Sequence, residues 1–384
     1  MSTRSQLTKD LNESIKNLLG KQVKILFKNV VKLETKGDKT ENRVLVFSPC
    51  RILLLTAKVP TRIDCHFHYL EIQALESKRG NQLSITFNEK VYSFLAGEDS
   101  SCSLEVDSMI SALATAIRNI FPTVPLQYII RKIEVIPPSR LQVLRDIEAV
   151  GSNIREVGPC GGFSNQYACM CDYHNMPYRE EVAWDVDNIY LSLNTRELCL
   201  KDFDYLDQKD LIPIINALDY NTWFTKLRAN HVRLSHDNID KIVQVIKKSL
   251  SLEEVYLDSL GLKADFVNKL TNAVKLNAII PLHTIDLSNN PIEDKGANNL
   301  TSCIPRLNKG LVHLNLSHCG LSSKGVNQLA QSLINRSSLY TTLTYLNLSG
   351  NNLKDDISNL HSFLGHANAI SHLDLSSTDI LLEN

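Results

Sequence analysis

The sequence LTYLNLSGNNL, residues 343–353, has the spacing Leu-x-x-Leu-x-Leu-x-x-Asn-x-Leu, and the frame returns as ISHLDLSSTDI at residues 370–380. The same frame can be followed upstream at intervals of 27 to 32 residues. Its seven copies start at Thr195, Phe224, Leu252, Leu282, Leu311, Leu343 and Ile370. Apolar residues at helical spacing fill the intervals, as in DLIPIINALDY at residues 210–220. Each interval therefore predicts one strand followed by one helix.

A strand and a helix every 28 to 29 residues are typical of the long, helix-backed leucine-rich repeat. The strands of such an array pair in parallel and line a concave face, and the helices form the convex side. The ninth residue of each frame lies in the turn, where Asn290, Cys319 and Asn351 can bond backbone groups of neighbouring turns. We therefore predict an α/β leucine-rich-repeat solenoid over residues 195–384.

The two ends of the predicted array differ. One repeat cannot bury its own hydrophobic face, so terminal repeats need caps. Residues 159–194 are predicted to form the N-terminal cap, and Val182, Trp184 and Val186 alternate there at strand period. The last copy has its strand but no helix, so we expect a solenoid truncated at its C-terminus, either a fragment or a short isoform of a longer parent.

Residues 21–121 show a different pattern, with short β-rich segments separated by polar turns. An amphipathic helix follows, which Pro122 ends, and its apolar stripe consists of Val106, Met109, Ile110, Leu113, Ile117 and Ile120. Six or seven strands closed by one helix are typical of a pleckstrin-homology (PH) domain, so we predict a PH-like β-barrel with a C-terminal helix. Residues 1–20 are predicted as an N-terminal helix and residues 122–158 as a linker to the repeats.

The first 62 residues contain 13 basic and 5 acidic residues, a net charge of +8. Several of the cations fall where a PH domain would face a membrane, and they are Lys32, Lys36, Lys39, Arg43, Lys58 and Arg62. Each cation beside an anionic leaflet contributes about 1 kcal/mol, so this set predicts reversible binding to anionic lipid. Glu41 stands where a PH domain usually has a second basic residue, which argues against selection of one phosphoinositide. An ordinary solvated hairpin is the alternative.

The composition of the chain limits its possible functions. The 41 Lys and Arg residues nearly balance the 42 Asp and Glu residues, so no overall attraction to nucleic acid is expected. The N-terminus has no secretory signal pattern, and the nine scattered cysteines are predicted to be reduced cytosolic thiols. P-loop, GxSxG, HExxH and dinucleotide glycine patterns do not occur. We therefore predict no enzymatic activity and no cofactor.

Two groups of residues resemble metal ligands without a suitable spacing. Cys160, Cys169, Cys171 and His174 follow the spacing C-x8-C-x-C-x2-H, which lacks the cysteine pair of a zinc knuckle. We expect them to form a loop of buried thiols on the solenoid cap. His66 and His68 lie on one face of a strand, and two ligands without a third favour a solvent-facing pair. No metal site is predicted.

The outward-facing positions of the predicted concave face can be read from the repeat frame. They form a mixed polar surface with a few aromatic residues, which suits contact with another protein. The predicted protein-binding positions are Arg228, Tyr256, Asp286, His313, Asn315, Tyr345, Asn347, His372 and Asp374. An unused, solvated face is the alternative.

The order of the modules and several linker motifs resemble the CARMIL family, the linkers of actin capping protein, the Arp complex and myosin-I. The motifs are GPCGGFSNQYACMCDY, YREEVAWDVDNIY, YNTWFTKL and NPIEDKG, and the resemblance covers roughly residues 10–384. It implies a cytoplasmic, cytoskeleton-associated scaffold without enzymatic activity, peripheral at the plasma membrane of the leading edge. Such a scaffold would keep actin barbed ends growing.

The resemblance also implies which functions belong to other parts of a longer parent. In the CARMIL family the segment that binds capping protein lies in a long tail after the solenoid, and dimerisation helices follow the repeats. Residues 1–384 contain neither. Binding of capping protein and myosin-I, and formation of a homodimer, are therefore expected of the full-length parent.

A regulator of an enzyme is the second functional class. Solenoids of this repeat length also resemble ribonuclease inhibitors and GTPase-activating proteins of the Ran type. Those folds need no barrel domain, and a Ran-type activator usually carries an acidic tail, which this sequence lacks. An innate-immune sensor is a third class, but no nucleotide-binding module precedes the repeats.

Overall fold

The computed structural model describes residues 7–20, 23–35, 39–96, 102–150, 157–334 and 339–380. The chain divides into two compact units, Met1–Met176 and Pro177–Asn384. Within the described residues, no helix is long and apolar enough to cross a membrane.

The first unit is built on one sheet of eight strands. They are β1 (Phe27–Glu34), β2 (Thr40–Phe47), β3 (Arg51–Thr56), β4 (Ile63–His68), β5 (Ile72–Ser77), β6 (Gln82–Phe87), β7 (Lys90–Leu95) and β8 (Lys132–Val135). The sheet order is β4-β3-β2-β1-β7-β6-β5-β8, and only the β5–β8 pair is parallel. Seven antiparallel strands followed by helix α2 (Cys102–Ile120) confirm the predicted PH-like fold.

Helix α2 fills the core of this unit as its sequence predicts. All six residues of its apolar stripe are buried, and the helix ends at Ile120, two residues before Pro122. The apolar stretch IDCHFHYLEIQAL, residues 63–75, forms two strands, because a short 3-10 turn over Tyr69–Glu71 separates β4 from β5. His68 and Glu71 cap this turn reciprocally, which satisfies backbone N–H groups that the sheet no longer pairs.

The N-terminal helix α1 (Lys9–Leu19) packs on the outer face of the same sheet. Leu11 and Ile15 contact a cluster that includes Val44, Val46 and Leu53. The second half of β2 and most of β3 are therefore buried on both faces. This explains why the sequence of β2 ends in an unbroken apolar run, without the alternation of a half-buried strand.

The segment that the sequence predicts as a linker contains regular structure, which begins with a short 3-10 helix over Leu126–Tyr128. β8 extends the sheet beside β5, and helix α3 (Ser139–Val150) follows it. Arg140 of this helix is only 2% exposed and donates hydrogen bonds to the side chain of Ser77 and to the carbonyl of Gly80. Residues 132–140 are thus attached to the PH-like sheet, while the domain boundaries themselves stay a prediction.

The strand expected over residues 182–186 is wrong. Helix α4 (Phe163–His174) comes first, and then helix α5 (Glu180–Trp184) continues as a π-helical segment over Asp185–Tyr190. Val182 and Val186 are buried, whereas Trp184 is 59% exposed. Residues four apart share a helix face, and residues two apart do not, so the apolar pair at Val182 and Val186 belongs to a helix.

The second unit confirms the predicted leucine-rich-repeat fold. Its parallel strands are β9 (Glu197–Cys199), β10 (Lys226–Arg228), β11 (Glu254–Tyr256), β12 (Thr284–Asp286), β13 (His313–Asn315), β14 (Tyr345–Asn347) and β15 (His372–Asp374). They pair in sequence order without a register shift. The helices between them are α6 (Leu211–Ala217), α7 (His236–Lys248), α8 (Ala264–Leu276), α9 (Glu293–Cys303), α10 (Ser323–Ile334), α11 (Leu339–Thr342) and α12 (Ser358–Gly365).

Buried asparagines connect neighbouring turns of the repeats, as the ninth position of the frame predicts. The Asn290 amide donates to the carbonyls of Leu257, Leu287 and Ser288 at 2.7 to 3.0 Å. Its oxygen accepts from the backbone of Leu260 at 3.0 Å and of Leu262 at 2.9 Å. The two N–H groups and the oxygen of one side chain thus reach five backbone groups in two successive turns, which fixes the register of the strands beside them.

Candidate functional site

The open side of the parallel sheet carries the first and third residue of every strand, and we call it the strand face. The middle residue of each strand from β9 to β14 is buried, so its two neighbours point away from the core. All nine residues predicted for protein binding lie on the strand face, and their binding role stays a prediction. The face includes four further charged or polar residues, namely Glu197, Lys226, Glu254 and Thr284.

A row of aromatic rings runs along the strand face, with members on β11, β13, β14 and β15. The rings of His313 and Tyr345 are parallel within 4°, with centroids 3.9 Å apart. The Tyr345 and His372 centroids are 6.0 Å apart, and Tyr256 meets His313 at 6.4 Å. Rings that support one another lose little freedom when a partner binds, so this row is a suitable anchor for protein contact.

The charged residues at the other end of the strand face are paired. Arg228 forms a two-pronged salt bridge with Glu197, at 2.8 and 2.9 Å, and its guanidinium lies 4.1 Å from the centre of the Tyr256 ring. Lys226 contacts Glu254 at 2.9 Å. Arg228 is therefore held in one orientation before any partner arrives.

Local environment sets the ionisation of several of these groups. Burial opposes the charge of Glu254, but hydrogen bonds from the Tyr256 hydroxyl (2.5 Å) and from Lys226 outweigh burial and lower the pKa of this carboxyl. Burial, followed by the bond to Glu254, raises the pKa of Tyr256. Burial also lowers the pKa of His313, so its stacked ring is neutral at pH 7.

The basic residues predicted for lipid binding are not one continuous patch. Lys32 lies opposite Asn42, and Arg43 lies opposite Val31. Because cross-strand neighbours share a face and successive residues alternate, Lys32 and Arg43 point to opposite sides of the sheet. Lys36 lies outside the described residues.

Among the predicted lipid ligands that the structure describes, Arg43 differs from the rest because it is already in salt bridges. Its guanidinium contacts Asp64 at 2.9 Å and Glu41 at 2.7 Å, and these partners raise the pKa of Arg43. Lys39, Lys58 and Arg62 are exposed, as is Lys32. Among these four exposed cations, Lys58 and Arg62 are the nearest to each other along the chain, because both lie in the turn between β3 and β4.

The residues with zinc-like spacing do not form the loop that the sequence predicts. Cys169, Cys171 and His174 belong to helix α4 and not to a loop. Cys169 approaches His68 at 3.6 Å, so it packs on the PH-like sheet. His68 is buried, whereas His66 is exposed, so the predicted solvent-facing histidine pair is wrong for His68.

The sequence analysis did not predict one cluster of cysteine and histidine side chains. Among the described residues, Cys50, His68 and Cys169 bring two sulfurs and one ring nitrogen within 4.8 Å of one another. Cys50 and Cys169 are separated by more than a hundred residues, so no local spacing could reveal them. Only the packing of α4 against the β2–β3 turn brings them together.

The two units define a class of protein: a PH-like domain joined to a leucine-rich-repeat array with an open strand face. Residues 25–122 match the model of the Carmil pleckstrin homology domain, and residues 160–384 match that of the CARMIL family LRR domain. The chain belongs to the CARMIL family. This confirms the resemblance carried by its linker motifs.

The curated relatives are much longer than this chain. Human capping protein, Arp2/3 and myosin-I linker protein 3 is 37% identical over 381 residues, which are 98% of this chain and 27% of the relative. The mouse linker protein 2 is 32% identical and covers 89% of this chain and 24% of its own length. A Dictyostelium discoideum relative, Rho GTPase-activating protein gacW, is 27% identical over 97% of this chain and 32% of its own length.

Proposed function

We propose that this chain is the membrane-binding and protein-binding part of a non-enzymatic scaffold that regulates actin assembly. Family membership supports this proposal, as do the relatives named for capping protein, Arp2/3 and myosin-I. The observation that carries it is the strand face, whose stacked rings and pre-paired charges suit protein recognition. The scaffold would act in the cytoplasm, peripherally at the plasma membrane of the leading edge.

The PH-like unit would supply membrane attachment through its exposed cations. Since Arg43 is neutralised by Glu41 and Asp64, the cations of the β3–β4 turn carry the expected lipid contact together with Lys32 and Lys39. Attachment of this kind weakens with salt, because ions screen exposed charges over about 10 Å at 0.1 M. Binding would follow the anionic charge of the lipid and not the stereochemistry of one headgroup.

Sedimentation with phosphatidylserine vesicles tests the lipid proposal. The double variant Lys58→Glu/Arg62→Glu should lose most of its binding, and 0.5 M salt should release the wild-type chain. Lys90→Glu/Lys275→Glu is the matched control, because it changes two other exposed cations and the same net charge. If both variants lose binding equally, or if neither does, the β3–β4 turn is not the lipid-binding site.

Binding of capping protein would belong to parts of the relatives that this chain does not span. We therefore expect the purified chain to leave capped actin filaments capped in an elongation assay. Restored barbed-end growth would contradict this expectation, because it would mean that residues 1–384 include a site for capping protein. The homodimer and the myosin-I contact are likewise proposed for the longer protein.

Activation of a small GTPase is the second candidate, because gacW carries that activity in its name. An activating protein usually supplies an arginine that stabilises the transferred phosphate. Arg228, the arginine on the strand face, is occupied by Glu197 and Tyr256. We therefore expect Rho-family GTP turnover to be unchanged by the chain, and an acceleration would replace the scaffold proposal with an activating role.

A further inference from the structure

A cluster of two thiols and one imidazole lies on the outer face of the sheet in the first unit. Cys50 precedes β3, His68 ends β4, and Cys169 lies on α4. Cys169 and His68 are buried and Cys50 is partly exposed, so Cys50 is the member of the cluster most open to solvent. The actin scaffold proposed above makes no use of these three residues.

The hydrogen bonds of His68 indicate which ring nitrogen carries its proton. Nδ1 accepts from the backbone N–H of Leu70 at 3.1 Å, so the neutral ring holds its proton on Nε2. Nε2 lies 3.6 Å from the sulfur of Cys169 and 3.7 Å from Asp172. A histidine that binds metal through Nε2 normally donates its other proton from Nδ1. The bond from Leu70 opposes that arrangement, so the ring is better placed to donate to sulfur than to bind zinc.

The two thiols differ in ionisation. A hydrogen bond from Cys169 lowers the pKa of Cys50 to about 6, against the effect of burial and with help from His68. Burial, and then the neighbouring Cys50, raises the pKa of Cys169. Other charged or titratable groups around the cluster are Arg51, Asp172, Tyr69, Glu71 and Tyr173. Arg51 pairs with Asp172 at 2.7 Å and also contacts His66. Cys50 is therefore the more acidic thiol of the pair and ionises before Cys169.

We propose that Cys50 and Cys169 form a peroxide-sensitive thiol pair, with Cys50 as the attacking thiolate and Cys169 as the resolving thiol. The Cys50 thiolate attacks one oxygen of hydrogen peroxide, breaks the O–O bond and becomes a sulfenic acid, while the departing hydroxide takes up a proton to form water. Cys169 then loses its proton, and its sulfur bonds to that of Cys50. The sulfenic hydroxyl leaves with a proton as a second water.

The net reaction converts two thiols and one peroxide molecule into one disulfide and two waters. The sulfur atoms lie within 4.8 Å of each other, and a disulfide needs about 2 Å, so formation of the bond requires the two side chains to move closer. The new bond would tie the β2–β3 turn to α4 and hold that helix on the PH-like sheet. A dithiol reductant would release it.

The reduced full chain tests this proposal when it is treated with hydrogen peroxide at pH 7 and digested without reductant. A peptide pair that links Cys50 to Cys169 and separates with dithiothreitol is expected, whereas Cys50→Ser should not form it. Cys169→Ser should stop at a sulfenic acid that dimedone traps on Cys50. Absence of the linked pair from the oxidised wild-type chain would overturn the proposal.

Cys65 provides a matched comparison within the same protein. This half-buried thiol also lies on the sheet, but burial raises its pKa. Iodoacetamide should modify Cys50 at least about tenfold faster than Cys65 at pH 7, and Cys65→Ser should leave the disulfide unchanged. Equal rates for the two cysteines would overturn the proposal. So would one equivalent of bound zinc that a chelator must remove before the thiols react, because the cluster would then be a metal site.

Discussion

Replacement of Arg140 by methionine should destabilise the first unit strongly, although this residue lies in the segment predicted as a linker. Its guanidinium donates to the Ser77 hydroxyl at 2.6 Å, to the Ile136 carbonyl at 2.7 Å and to the Gly80 carbonyl at 2.6 Å. It also forms a salt bridge with Asp107 of α2. One buried side chain thus connects β5, β8, α2 and α3.

The size of the effect follows from these partners. Removal of one member of a buried ion pair typically costs about 3–5 kcal/mol. Asp107 is 37% exposed, so water replaces part of the lost interaction and the lower end of that range, about 3 kcal/mol, is expected. For a unit of this size that loss corresponds to a decrease in Tm of roughly 6–12 °C. Because methionine fills a similar volume, the loss of stability comes mainly from the missing hydrogen bonds and salt bridge.

Hydrogen exchange on α2 and β5 would measure this loss in the first unit. Both tryptophans of the chain, Trp184 and Trp223, lie in the second unit, so their fluorescence reports on the repeats alone and should not change. Arg145→Met on the same helix is the control, because Arg145 is exposed and should cost less than about 0.5 kcal/mol. Equal effects of the two substitutions would show that the contacts of Arg140 do not stabilise the first unit. Residues 122–158 would then be interpreted as a linker again.

Three further predictions concern the repeats. Asn290→Ala should lower the free energy of unfolding by about 2–4 kcal/mol, because it leaves five backbone groups without their hydrogen-bond partner. Urea unfolding followed by tryptophan fluorescence measures this change. A loss below about 1 kcal/mol would contradict a stabilising role of the Asn290 hydrogen bonds. Leu314→Ala should lower the free energy of unfolding by about 3 kcal/mol, and Leu373→Ala by less than about 1 kcal/mol. The reason is that Leu314 is buried, whereas Leu373 is 41% exposed. Similar losses of stability in the two variants would contradict this reasoning. Glu254→Gln should lower stability at pH 7 by less than about 1 kcal/mol. Folding lowers the pKa of Glu254, so the stability that this carboxylate contributes is present above its usual pKa of 4.5 and disappears as the pH falls through the lowered pKa. A stability difference between the wild type and the variant that does not change with pH would contradict this pH dependence.

Proximity along the chain explains why some features were predictable. The paired leucines around Leu314 and Leu346 specify which residues of each strand are buried, because strand side chains alternate between two faces. The stripe of α2 specifies its buried side in the same way, at helical period. The repeat frame therefore determined the sheet, its register and the composition of the strand face without knowledge of the tertiary structure.

The tertiary structure alone decided the features that depend on contacts between distant parts of the chain. α1 covers β2 and β3, β8 joins β5, and Arg140 reaches three other elements, none of which leaves a periodic signal. The Cys50–Cys169 pair has the same origin. Sequence periodicity records which face of an element is buried, but not which element covers it. The partner of each buried face is chosen by packing across the whole unit, and packing placed these thiols together.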